Sequence, residues 1–183
     1  SIIEESPRAK IEASTFYQTQ GFTGQESPFL KRHSPGRFKI TNPSTVFIYT
    51  SGYNDGVTSE AYATRELFLE ELVEIVLSEM LALVSDGVSY IQLDEGFTDY
   101  ISADWLDQLR RNGEDPDMRL AADIAAENAC YDSVSKENVT LAIHICRGNS
   151  RSRWGRSGGY DWLAEQVFSS LNVDRFLLEY DSD

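Results

Sequence analysis

Val139-Thr140-Leu141-Ala142-Ile143-His144-Ile145 is a near-continuous apolar run, closed by Cys146-Arg147-Gly148-Asn149. Strands of this kind belong to parallel sheets covered on both faces, because a half-exposed strand alternates apolar with polar residues instead. Working outward, Val88-Ser89-Tyr90-Ile91-Gln92-Leu93 reads as the preceding strand, with Asp94-Glu95-Gly96 at its C-terminal end, and Arg175 to Glu179 reads as the following one. Helical periodicity fills the gaps. Ser59 to Ser85 carries Phe68, Leu72, Ile75, Val76, Met80 and Leu83 on one face, Ser59 can cap it, and Asp86-Gly87 ends it. Ala103 to Arg111 and Met118 to Val134 are two more helices, parted by Asn112-Gly113-Glu114-Asp115-Pro116, and Gly159 to Leu171 is another. Arg37-Phe38-Lys39-Ile40-Thr41 alternates as a short strand that meets Asn42-Pro43, and Thr50 to Thr58 is a loop. The order strand, helix, strand, helix, helix, strand, helix, strand predicts an α/β architecture with parallel strands. Residues 1–35 form an irregular N-terminal segment, with one strand expected around Ile11 to Phe16.

The 183 residues argue for a single domain, 1–183, large enough to bury a core. Sixteen Lys and Arg against thirty Asp and Glu leave a net charge of −14, which excludes a general nucleic-acid or anionic-membrane binder. Two cysteines exclude a disulfide scaffold. No apolar run approaches the ~20 residues that a membrane-spanning helix needs. The chain opens Ser1-Ile2-Ile3-Glu4 without a basic-then-apolar leader, so no signal peptide is expected, and with reduced-looking cysteines this predicts a cytoplasmic protein. It ends Leu178-Glu179-Tyr180-Asp181-Ser182-Asp183, directly after a strand-like run, and so reads as a fragment.

Polar residues gather where three strands end, the edge that carries the chemistry in (β/α) barrels and open α/β sheets. His144 and Cys146 are two apart on a strand and share a face, so one imidazole and one thiol can ligate a single ion. Zinc accepts such N and S donors, and a catalytic zinc site takes three protein ligands; Glu179, at the end of the next strand, is placed to be the third. The same pair also reads as core, since a free Cys behaves as a small hydrophobe. Cys130, in an Ala-rich helix, reads as structural, and His33 as a solvated loop residue. Asp94, with Gln92 on the same face, offers a carboxylate to a substrate amine or hydroxyl; a helix cap or loop salt bridge is the plainer use. Glu95 should face the other way. Arg147, Arg151, Arg153 and Arg156 surround Trp154 and reverse the local charge. They suit an anionic substrate tail, or they neutralise acidic surroundings. Gly148, Gly155, Gly158 and Gly159 suggest a mobile loop there.

Tyr90-Ile91-Gln92-Leu93-Asp94-Glu95, His144-Ile145-Cys146-Arg147-Gly148-Asn149, Gly159-Tyr160 through Phe168 and Phe176-Leu177-Leu178-Glu179-Tyr180-Asp181, in this order, resemble the catalytic domain of cobalamin-independent methionine synthase, and most of all its shorter single-barrel relatives. The resemblance covers roughly residues 36–183. It implies a (β/α)8 TIM-barrel fold, of which this chain is an incomplete barrel covering the middle β/α units. It implies a zinc held by His144, Cys146 and Glu179, and an amino-acid substrate whose amino group rests on Asp94. The activity implied is transfer of a methyl group from 5-methyltetrahydrofolate to the thiol of homocysteine, giving methionine. Gln92, Arg147, Arg151 and Arg153 are further candidates for substrate contact. The family draws another Cys ligand from a later strand, and no Cys follows Cys146 here; Gly96 stands where the family usually has Pro. Two other readings stay open. One is a different zinc-thiolate alkyl transfer, such as epoxide to coenzyme M. The other is a non-catalytic, incomplete barrel whose open edge is covered by self-association or a partner chain.

Overall fold

The computed structural model describes residues 21, 23–54 and 56–179; the strand expected around Ile11 to Phe16 and the last residues, Tyr180 to Asp183, lie outside them. In chain order the elements are α1 (Glu26–His33), β1 (Ile40–Pro43), α2 (Thr45–Gly52), α3 (Thr58–Ala61), α4 (Arg65–Ser85) and β2 (Tyr90–Asp94). A 3-10 helix (Thr98–Ile101), α5 (Ala103–Arg111), α6 (Pro116–Asp132), β3 (Thr140–Ile145), β4 (Asn149–Ser150), β5 (Arg153–Trp154), α7 (Asp161–Ser170) and β6 (Arg175–Leu178) follow.

The main sheet runs β1-β2-β3-β6 and every pair is parallel. Register partners share a face. Ile40, Ile91, Leu141 and Leu93, Ile143 point one way, into a core completed by Val76, Met80, Leu120, Tyr131 and Leu163, all of them buried. Thr41, Gln92 and Ala142 point the other way, and beyond them Pro43, Asp94, His144 and Leu177 stand side by side. The consecutive burial of Leu141, Ala142 and Ile143 fits the apolar run of β3, which is covered on both faces at its middle. The parallel α/β architecture is therefore as expected. Among the described residues β1 and β6 are the sheet's two edges, and these four strands do not by themselves close a barrel.

Element boundaries differ from the sequence reading where caps compete. The long helix begins at Arg65, because the Thr64 hydroxyl accepts the Leu67 N–H at 3.3 Å; Ser59 lies in the separate short helix α3. α2 has no counterpart in the sequence reading. Its Val46-Phe47-Ile48-Tyr49 core has weak helix propensity. It forms because Ser44 accepts the Phe47 N–H at 3.0 Å, while Glu127 on α6 accepts from Thr45 Oγ1 at 2.7 Å and from the Val46 N–H at 3.0 Å. α1 is largely polar, with Ser27 its one fully buried residue, which hides it from a periodicity search; His33 is solvent-exposed, at its last residue rather than in a loop. No helix among the described residues is long and apolar enough to cross a membrane.

Candidate site at the strand ends

The C-terminal ends of β2, β3 and β6 bring Asp94, His144 and Glu179 to one edge, as the parallel register requires. Asp94 is paired with His144 in the ladder, and its Oδ1, itself buried and without a hydrogen-bond partner among the described residues, lies 3.9 Å from His144 Nε2. Gln92, on the same face, is buried, and its amide oxygen accepts from Lys39 Nζ at 2.6 Å.

Cys146 is next to solvent but nearly buried, 9% exposed. Its sulfur is closely held. It accepts the Gly148 N–H at 3.2 Å, donates to Glu95 Oε1 at 3.5 Å and lies 3.7 Å from Thr98 Oγ1. Burial pushes the thiol's pKa up and the Glu95 charge adds to the rise, while the Gly148 N–H and Thr98 oppose it. Strand alternation predicts that Glu95 faces away. It meets Cys146 because its backbone is left-handed, φ 64°, which breaks the alternation at its last step. Its own N–H donates to the His144 carbonyl at 3.1 Å, fixing the turn. Gly96 follows for a packing reason, since a Cβ there would sit 3.1 Å from Ile143 Cδ1 and 3.2 Å from Ser44 Oγ.

Glu179 extends the β6 ladder: its N–H donates to the Ile145 carbonyl at 3.3 Å and its Oε2 accepts the Arg147 N–H at 2.9 Å. Tyr160 closes this corner, its hydroxyl 3.0 Å from both the Ile145 and the Glu179 carbonyls.

The arginine-rich stretch, expected as a loop, holds a short hairpin, β4 against β5. Its base is tied by the Gly155 and Arg156 N–H groups, both donating to the Arg147 carbonyl at 2.8 Å. Its two turn residues, Arg151 and Ser152, have φ of 53° and 62° without being glycine. Gly158 packs its backbone onto the Ile101 carbonyl so closely that no Cβ fits. The arginines separate. Arg151 and Arg153 are exposed on the hairpin, whereas Arg147 is buried with its guanidinium 4.6 Å from the Trp154 ring centre. Arg156 turns back to Asp99, Nε to Oδ1 at 2.7 Å.

Two small cavities open at this edge. One, of about 250 Å³, lies between α2, the 3-10 helix and the hairpin base, with Glu95, Thr98, Arg147, Gly148 and Arg156 in its wall. The other, of about 230 Å³, has Asp94 and Asn42 in its wall and shares Phe47 and Glu95 with the first. Glu95 thus stands between the Cys146 side and the Asp94 side.

As a metal set, His144, Cys146 and Glu179 supply the nitrogen, sulfur and oxygen donors that zinc accepts. By donor chemistry they fit. By position, each holds a protein neighbour, and among the described residues no group of three or more His, Cys, Asp or Glu side chains stands close enough to hold a metal ion. Thr98 joins the edge without any signal in the sequence; Tyr160 is visible there only within a motif, Arg156 only as a member of the arginine cluster, and Glu95 only as a residue expected to face away.

No family model matches the chain. The uncharacterized Bacillus subtilis protein YxjH is 30% identical over 148 residues, 79% of this chain and 38% of its own length. YxjG of the same organism, also uncharacterized, is 32% identical over 145 residues, 78% of this chain and 37% of its own length. The chain therefore spans less than two thirds of the length of the curated relatives it matches. Among solved structures, a protein of Listeria monocytogenes assigned as a vitamin-B12-independent methionine synthase superposes with a TM-score of 0.61 at 25% identity, over 84% of this chain and 44% of that one. A B12-independent methionine synthase from a Shewanella species, solved with selenomethionine, superposes with a TM-score of 0.56 at 21% identity, over 87% of this chain and 42% of that one. The chain shares its α/β fold with portions of these proteins.

Proposed function

We propose that the chain is the strand-end half of a thiol-methylating barrel enzyme of the cobalamin-independent methionine synthase type. The observation that carries this reading is the in-register line of Asp94 and His144, with Cys146 and Glu179 one step further along the same edge, in a fold shared with such synthases. His144, Cys146 and Glu179 would hold zinc, whose contribution when bound is to keep a substrate thiol deprotonated near neutral pH. Asp94, with an unpartnered carboxylate oxygen, receives the ammonium of an amino-acid thiol, homocysteine in this reading. The protein's part in the reaction is orientation: the sulfur must face the methyl group of 5-methyltetrahydrofolate in line. The outer strands β1 and β6 pair with further barrel strands, from the same chain or a partner.

A second reading, a non-catalytic module, draws support from the absence of an assembled three-donor group among the described residues. Metal analysis separates the two. About one zinc per chain, lost in the Cys146→Ser variant, supports the enzyme; a chain that takes up no zinc after careful preparation is the module. Methyl transfer assayed on homocysteine and, in parallel, on coenzyme M identifies the acceptor.

A further inference from the structure

Behind the three donors stands a tyrosine that the methyl-transfer reading does not use. The β3–β6 ladder pairs His144 with Leu177 and Ile145 with Leu178, so its next step sets Glu179 beside Cys146. The backbone alone bonds that step weakly. The Glu179 N–H reaches the Ile145 carbonyl at 3.3 Å, longer than a usual N–H···O bond. The Tyr160 hydroxyl reinforces it. It lies 3.0 Å from the carbonyl of Ile145, the residue between His144 and Cys146, and 3.0 Å from the carbonyl of Glu179 itself. A hydroxyl has one proton to donate, so that proton is shared between the strand that carries two of the donors and the strand that carries the third.

The hydroxyl is itself held by regular structure. Tyr160 caps α7, and its carbonyl accepts from the Leu163 N–H at 2.9 Å and the Ala164 N–H at 2.6 Å. Its ring centre lies 6.2 Å from that of Phe168 on α7, and Phe168 lies 4.9 Å from Phe176 on β6. Both contacts of the hydroxyl are to main-chain atoms, so it occupies no donor side chain. Those side chains each have another partner: Cys146 has Glu95, His144 has Asp94, and Glu179 has the Arg147 N–H. What is fixed at this edge is therefore the spacing of the two main chains.

We infer that Tyr160 is a positioning residue for the donor set: its hydroxyl fixes the separation of the β3 and β6 ends, and through it the zinc affinity of His144, Cys146 and Glu179. The inference rests on the reading that these three hold zinc, and it adds a residue that touches neither metal nor substrate. Groups placed behind metal ligands act in this way, by orienting what they hold.

Zinc affinity of the whole chain, measured by competition with a chromophoric chelator, tests it together with the absorption spectrum of the cobalt-loaded chain. Tyr160→Phe keeps the ring and removes only the hydroxyl. It should bind zinc about 10–100-fold more weakly, and its thiolate-to-cobalt band should weaken or shift. Leu83→Ala serves as the control. Leu83 is buried near the last turn of α4, away from the strand-end edge, so its truncation lowers the melting temperature and should leave zinc affinity and the cobalt spectrum unchanged. Affinity and spectrum indistinguishable from native in Tyr160→Phe overturn the inference and leave the proposed function standing. An equal loss of affinity in Leu83→Ala also overturns it, because affinity would then only follow stability. A native chain that takes up neither metal overturns the proposed function, and the inference with it.

Discussion

Two sets of carboxylates divide this molecule, and they are held in opposite ways. On α6, Asp123 and Glu127 are both fully buried. Asp123 accepts Tyr100 Oη at 2.6 Å and Arg65 Nη2 at 3.2 Å, with Arg119 Nε 3.5 Å away, while Glu127 anchors the start of α2. At the strand ends, Asp94, Glu95 and Glu179 are partly exposed and lightly engaged, and Asp94 Oδ1 has no hydrogen bond among the described residues. The first set spends its charge on geometry. α2 and the 3-10 helix, both walls of the 250 Å³ cavity, are pinned from behind by Glu127 and Asp123. The second set keeps its charge available, because walls that are already fixed do not need it.

The sharpest way to break this contrast is Asp123→Ala. It leaves the buried Tyr100 hydroxyl without its acceptor and Arg65 and Arg119 with Glu114 as their remaining carboxylate, and removal of one partner from a buried ionic network costs about 3–5 kcal/mol. Urea unfolding should register a loss of that order; a loss below about 1 kcal/mol would place Asp123 among the loosely held acids.

Titration of Glu127 sharpens the contrast next. Burial pushes its carboxyl up to about 7 from an ordinary 4.5, against the opposing bonds from Val46 and Thr45, and burial likewise raises Asp123 to about 6. Because the folded state holds these protons more tightly than the unfolded chain, their contribution to stability is fully present below the unfolded values. It is lost as pH rises towards 7. Glu127→Gln cannot titrate. Its stability relative to the native chain should improve between about pH 4.5 and 7.5 by roughly 3 kcal/mol at most. A difference that stays flat across that window would mean that Glu127 is not held protonated by the fold.

Asp94→Asn is the smallest expected change in stability and the largest in kind. Its side chain is 37% exposed and its Oδ1 accepts no hydrogen bond among the described residues, so the melting temperature should shift by no more than the equivalent of about 0.5 kcal/mol. On the proposed function, homocysteine binding should nonetheless be lost. A melting shift comparable to that of Asp123→Ala would erase the distinction between the two sets.

How much of this is open to a reader of the sequence depends on the range of the interaction that decides it. The parallel strands are legible because Leu141 to Ile145 and Ile91 to Leu93 carry their burial in their own composition, and the strand order places Asp94, Cys146 and Glu179 at one edge. α2 is not legible. Its β-branched and aromatic residues argue against a helix, and the carboxylate that caps it comes from Glu127, 81 positions away from Val46. Glu95 is misdirected because alternation holds only while φ stays negative. The division of the arginines is hidden for a similar reason: a two-residue turn at Arg151 and Ser152 decides which side chains end at the tip and which at the base.

The left-handed backbone at Glu95 has a consequence for directed evolution. A selection for heat resistance alone should return glycine at position 95, since glycine adopts that conformation without steric cost and gives up one weak side-chain contact, that of the Cys146 thiol to Glu95 Oε1. A selection that also demands thiol chemistry should refuse that same substitution. Position 95 is therefore where durability and activity part company, and sequencing the survivors of the two selections would reveal which one the residue serves.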